Sequence, residues 1–201
     1  MSSNIEIQIL AKVKKARGGS LFFIDDFIDF GNYKAVSKAL ERLVEKNEII
    51  RVARGIYSRK IIDPILGEIK PSIDDIAKSI AKKERARIIP SGSTALNALG
   101  LSNQVPMNVV YLTDGAPRKI SIGNRIITFK KTSAKNLSSI GKISTLVIQA
   151  LKEIGNGNIT IEEEKNILKH LQKEETYRLE HDIRIAPEWI RKIMRKALQN
   201  E

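Results

Sequence analysis

Apolar side chains recur at helical spacing from the start of the chain. Ile5, Ile9, Leu10 and Val13 predict a helix over residues 5–16, stopped by Gly18-Gly19. Residues 23–30 gather phenylalanine and isoleucine on one side and Asp25, Asp26 and Asp29 on the other, which predicts a short amphipathic helix. Gly31 then breaks the chain, and Asn32 suits the N-cap of the next segment. That segment, residues 33–46, carries the clearest stripe: Val36, Ala39, Leu40, Leu43 and Val44. At about 100° per residue, Lys34, Lys38 and Arg42 share the opposite face, with Ser37, Glu41 and Glu45 beside them. Asn47 ends it. Residues 48–53 and 56–59 alternate as strands, and Arg54-Gly55 between them predicts a hairpin.

Pro64, Gly67 and Pro71 fall close together and predict a linker over residues 60–71. Ser72 and Asp75 form a capping pair for a helix over 73–83, and a further helix spans 91–99, closed by Gly100. Strands follow at 108–113, 118–122 and 125–131, the last two joined by Gly123-Asn124. The pattern then turns helical at 143–154 and 161–173, with Thr160 and Glu163 marking the second start. Pro187 opens a last helix running to about residue 199.

Charge changes the picture. Of 201 residues, 35 are Lys or Arg and 23 are Asp or Glu, for a net +12. Residues 1–60 hold 12 basic and 7 acidic side chains, residues 61–135 hold 12 and 6, and residues 136–201 hold 11 and 10. The excess therefore sits in the first two thirds and favours a polyanionic partner. There are no cysteines, which excludes disulfides, thiolate nucleophiles and cysteine zinc sites, and the two histidines are too few for a histidine metal centre. No basic n-region opens the chain, and no apolar run approaches the ~18 residues of a membrane span. A soluble, cytoplasmic protein without membrane or cofactor is expected.

Helix, helix, glycine turn, basic helix and hairpin is the order of a winged helix-turn-helix. An α-helix fits the major groove and offers its N-terminal side chains to base edges. Asn32, Tyr33, Lys34, Ser37 and Lys38 stand at that end, and Arg42 is expected to reach a phosphate. Arg54 at the wing tip can enter the minor groove, with Arg51, Arg59 and Lys60 adding phosphate charge. A solvated face is the plainer reading of such lysines, with Glu41 and Glu45 pairing to Lys38 and Arg42 along the helix. A second basic group lies on the later strands: Arg118, Lys119, Arg125, Lys130 and Lys131. It can meet an acidic protein surface or extend a DNA track, and sequence does not choose.

Residues 35–43, Ala-Val-Ser-Lys-Ala-Leu-Glu-Arg-Leu, with residues 50–57, Ile-Arg-Val-Ala-Arg-Gly-Ile-Tyr, resemble the N-terminal winged helix of AbiE-type antitoxins. Residues 90–101, around Ala95-Leu96, look like the small-residue helix that follows in that family, and residues 108–115 with the 118–129 hairpin complete a likeness over about residues 20–155. The resemblance implies a bacterial or archaeal antitoxin that binds double-stranded operator DNA, represses its own operon and neutralises a nucleotidyltransferase-like toxin. Homo-oligomers on DNA are compatible with it. The expected fold is α+β: a winged helix-turn-helix over 1–62, then a larger antitoxin-like mixed domain over 70–201 with a β-hairpin and C-terminal helices.

Enzyme readings are weaker. Asp25, Asp26 and Asp29 could hold magnesium, as in a metal-dependent nuclease, but a helix with one dense apolar face also needs a solvated side. Ser91-Gly92-Ser93-Thr94 lacks the spacing and lysine of a phosphate loop, although a helix N-terminus near Arg85 and Arg87 could hold an anion. His170 and His181 read as surface residues and Trp189 as a core anchor. No catalytic or metal site is expected. The alternative to the antitoxin is a nucleic-acid-binding adaptor or transcriptional regulator without a toxin.

Overall fold

The computed structural model describes residues 2–104 and 106–199, and they form a mixed α+β protein. The chain divides into two compact units, one comprising residues 1–80 with 121–123, the other 81–120 with 124–201.

In the first unit, helix α1 (Ser2–Lys15) is followed by strand β1 (Leu21–Phe23), a 3₁₀ helix (Ile24–Phe30) and helix α2 (Tyr33–Glu45). Strands β2 (Ile49–Ala53) and β3 (Ile56–Arg59) complete an antiparallel sheet in the order β1-β3-β2, with Phe22 and Arg51 flanking Tyr57 from either side. The stripe on α2 is buried as its spacing predicts, at Val36, Ala39, Leu40 and Leu43. These join Ile9 and Val13 of α1, Phe22, Phe27, Ile49 and Tyr57 in one core. Each buried Val, Leu, Ile or Phe here contributes about 1.5–3 kcal/mol.

The short amphipathic helix expected over 23–30 is a 3₁₀ helix over 24–30 that buries Ile24 and Phe27, while Phe23 ends strand β1. One expectation is corrected here. The 60–71 stretch is not a bare linker. It forms a hairpin of β4 (Ile61–Asp63) and β5 (Gly67–Ile69), so position 62 lies inside a strand. Asp63 Oδ1 accepts the backbone N–H groups of Ile65 and Leu66 at 2.8 and 2.9 Å, fixing the turn. Ile62, Ile65 and Leu66 on this hairpin are exposed. Helix α3 (Ile73–Lys83) follows, with Ser72 Oγ accepting from the Asp75 N–H at 3.1 Å.

A four-stranded sheet in the order β6-β7-β9-β8 is built from β6 (Ile88–Pro90), β7 (Asn108–Thr113), β8 (Arg118–Ile122) and β9 (Arg125–Lys131), and apart from residues 121–122 it belongs to the second unit. Strand β7 runs antiparallel to β6 and parallel to β9. The helices are α4 (Ser93–Ala98), α5 (Lys142–Ile154), α6 (Ile161–Leu171), α7 (Thr176–Ile185) and α8 (Glu188–Arg195). Their apolar faces meet in a core of Leu99, Val147, Leu151, Ile167, Leu171, Leu179, Ile190 and Met194. Trp189 packs on its margin. Helix α6 starts with the Thr160–Glu163 capping box that its sequence predicts.

Two carboxylates close the N-terminus of α5, where backbone N–H groups lack helical partners. Buried Asp182 of α7 accepts from Ile140 N and Gly141 N at 2.9 Å each and from Ser144 Oγ at 2.5 Å. Glu174 accepts from Ile143 N and Ser144 N. His181 Nδ1 also meets Asp182 Oδ1 at 2.9 Å. Serine, histidine and aspartate thus share one site, but the serine hydroxyl is bonded to the carboxylate and buried, so this group caps a helix.

Candidate nucleic-acid interface

Asn32 caps α2, its Oδ1 accepting from Ala35 N at 2.9 Å, so that oxygen is committed to the helix. The cap fixes the first turn and projects Tyr33 and Lys34 into solvent, with Tyr33 58% exposed. One turn on, Lys38 is exposed and Ser37 half-buried. Arg51 on β2 and Arg54 in the β2–β3 turn are exposed as well. Gly55 completes that turn at φ +74°, a left-handed conformation that side chains with a Cβ resist.

Tyr57 ties these pieces together. Burial pushes its hydroxyl pKa up, and the surrounding charges that act on it are Arg51, which opposes the shift, and Glu41 and Tyr33, which reinforce it. The polar flank of α2 and the exposed edge of β2 therefore bound one neighbourhood. Among the described residues, Lys34, Lys38, Arg51 and Arg54 form no ion pair.

Three cations expected beside them are used elsewhere. Arg42 binds Glu6 of α1 at 3.1 Å, and Lys46 binds the other oxygen of the same carboxylate at 2.6 Å. Hydrogen bonds from Lys46 and Arg42 hold the Glu6 carboxyl below the usual range. The pairing of Glu41 and Glu45 with Lys38 and Arg42 gives way to this interhelical clamp. Arg59 donates to Ala16 O, capping the end of α1, and Lys60 binds Asn47 Oδ1 and Glu68. Lys60's side chain is only 13% exposed. These contacts join positions 8 to 43 residues apart, outside the three- and four-residue spacing of a helix face, so no local pattern marks them.

The second basic group is also divided. Arg118 binds Glu84 and lies over the Phe129 ring at 5.5 Å, and Arg125 reaches Pro106 O at 3.4 Å. Lys119, Lys130 and Lys131 are exposed. The anion site imagined at residues 91–94 is displaced: a Cβ at Gly92 would lie 2.9 Å from Glu153 Oε2, which puts a carboxylate there. Arg87 is held by Asp114 through its backbone N–H and Nε, at 2.8 and 2.9 Å, which lowers the Asp114 pKa. His170 is half-buried, its Nε2 3.0 Å from Leu99 O, rather than a free surface residue. Asp26 Oδ2 accepts from Phe23 N at 2.7 Å. Among the described residues, no group of three or more histidine or acidic side chains is arranged to hold a metal ion, and no helix is long and apolar enough to cross a membrane.

The profile of a family of unknown function, DUF6088, matches residues 8–179. The chain belongs to this family. No curated protein matches this DUF6088 member. Its fold is similar to the crystal structure of the RV2827C protein from Mycobacterium tuberculosis, with a TM-score of 0.50 and 13% identity over 97% of this chain and 76% of that one. At that identity the likeness concerns the α+β fold.

Proposed function

We propose that the first unit is a winged helix-turn-helix that binds double-stranded operator DNA, and that the protein is an antitoxin-like autorepressor which neutralises a nucleotidyltransferase-type toxin. The observation that carries the DNA reading is the set of four cations without ion pairs, Lys34, Lys38, Arg51 and Arg54, on the N-terminal half of α2 and the adjoining β2–β3 hairpin. A helix N-terminus in the major groove and an arginine at a turn beside the backbone match how such folds meet duplex DNA. Tyr33 and Ser37 add a ring and a hydroxyl beside Lys34 and Lys38, suited to base edges or sugar. The toxin part rests on the resemblance over about residues 20–155 to AbiE-type antitoxins.

Fluorescence anisotropy with the DNA upstream of the protein's own gene tests the first part. Binding that survives a large excess of unrelated duplex and fails in the Lys34→Gln/Lys38→Gln/Arg54→Gln variant supports it; equal binding by that variant removes α2 and the wing from the interface. Co-expression with the neighbouring gene tests the second. Growth arrest relieved by this chain supports neutralisation, and a neighbouring gene with no toxicity leaves a regulator without a toxin.

A further inference from the structure

A cavity of about 600 Å³ opens in the second unit, well away in sequence from the residues assigned to DNA. Four elements contribute to it: the short 3₁₀ turn Ala134–Leu137, α5, the end of α7 and the start of α8. Its size falls within the range of small-molecule sites. Its lining is cationic, with Lys135, Lys152, Arg184 and Arg191, and it also presents the apolar Ile148 and Ala186.

The four cations are not equivalent. Arg191 is consumed by structure: Nε donates to Ile183 O at 3.1 Å, Nη2 to Arg184 O at 3.0 Å and Ala186 O at 3.2 Å, and Nη1 pairs with Glu188 at 3.0 Å. It cements the α7–α8 corner. Lys135, Lys152 and Arg184 form no ion pair among the described residues. Lys152 touches only a neutral oxygen, Asn136 Oδ1 at 3.2 Å. Its pKa is lowered, first by burial and then by Lys135 nearby. Two exposed ammonium groups face one recess whose lining carboxylate, Glu188, is already paired with Arg191, so they repel one another and favour an incoming anion.

We infer that this cavity binds a nucleoside phosphate, its phosphates held by Lys135, Lys152 and Arg184 and its base and sugar covered by the apolar part of the lining. A concave recess of this volume suits a ligand of mononucleotide size better than a continuous phosphate backbone, which follows open grooves. The inference is independent of the DNA reading, because it uses other residues in the other unit.

Isothermal titration calorimetry of the full chain with ADP and UDP, each compared with its nucleoside and with inorganic phosphate, tests it. At least one diphosphate should bind, with its nucleoside and phosphate alone each weaker by about tenfold or more. The Lys135→Gln/Lys152→Gln variant should lose about 100-fold in affinity, and Arg184→Gln, an exposed position, about tenfold. Both variants should keep the wild-type melting temperature and operator binding. No binding of either diphosphate at 1 mM overturns the inference, as does undiminished binding by both variants. An octathymidine that displaces the diphosphate more effectively than its own phosphate content explains would reassign the recess to nucleic-acid backbone and likewise overturn it.

Discussion

If the first unit binds DNA as proposed, the salt dependence of that binding separates free cations from those tied up in the fold. Each phosphate neutralised contributes about −0.9 to the slope of log affinity against log salt. The sequence assigns seven basic residues of α2 and the hairpin to DNA, but Arg42, Arg59 and Lys60 are committed to Glu6, Ala16 and Glu68. The four that remain give a slope of about −3.6 per chain, so raising salt fourfold should weaken binding about 150-fold. Arg54→Gln should flatten the slope by about 0.9, which means about 3.5-fold less sensitivity over the same range. Arg42→Gln should leave the slope unchanged and instead lower the melting temperature, since it loosens the clamp between α1 and α2. Anisotropy titrations at four salt concentrations, paired with thermal melts, read both quantities. Were Arg42→Gln to flatten the slope as much as Arg54→Gln with no change in melting, the Glu6 clamp would not govern Arg42 in solution and the assignment of free cations would fail.

Other outcomes follow from single contacts. Gly55→Val forces a β-branched residue to φ +74° and should cost about 1–3 kcal/mol by chemical denaturation; an unchanged midpoint would show that the turn does not hold that conformation. Leu40→Ala, with no exposed surface in the first core, should cost about 2–5 kcal/mol, and a loss under 1 would mean that the core relaxes around it. The Glu6 carboxyl is held low in the folded chain, so its contribution to stability is present above the ordinary carboxylate value and is lost as pH falls through the folded one. The melting temperature of the wild type should therefore fall towards that of Glu6→Gln on acidification, and a constant gap between them would contradict the pairing. Asp182→Ala strands Ser144 and two backbone N–H groups at the start of α5, and denaturation should show a loss of about 3 kcal/mol or more; a neutral result would argue that water replaces the cap.

Local signals were legible where the physics is local. The stripe on α2 stands out because burial repeats with the helical period, and Asn32, Thr160 with Glu163, and the Gly55 and Gly123 turns are readable because a cap or a left-handed residue acts within four positions. The exposed cations Lys34, Lys38, Arg51 and Arg54 were legible for the same reason, since surface lies opposite an apolar stripe or at a hairpin tip. Strands β1 and β6, three residues each, are too short for a period and are defined by their pairing with β3 and β7, where Phe22 stands opposite Tyr57 and Pro90 opposite Tyr111. Helix α7 escaped because it buries a charge, Asp182, whose partners lie some forty residues earlier on α5 and the chain entering it. Likewise Glu6 looked like one polar residue in an apolar run until α2 brought Arg42 and Lys46 to it, and those two contacts decide which basic residues remain available. The recess formed by Lys135, Lys152 and Arg184 draws on residues spread over 50 positions of chain, so its unbalanced charge arises only when α5 and α7 pack together. Periodicity and capping act along the chain and can be read there; charge pairing between distant segments is decided by which elements the cores bring side by side.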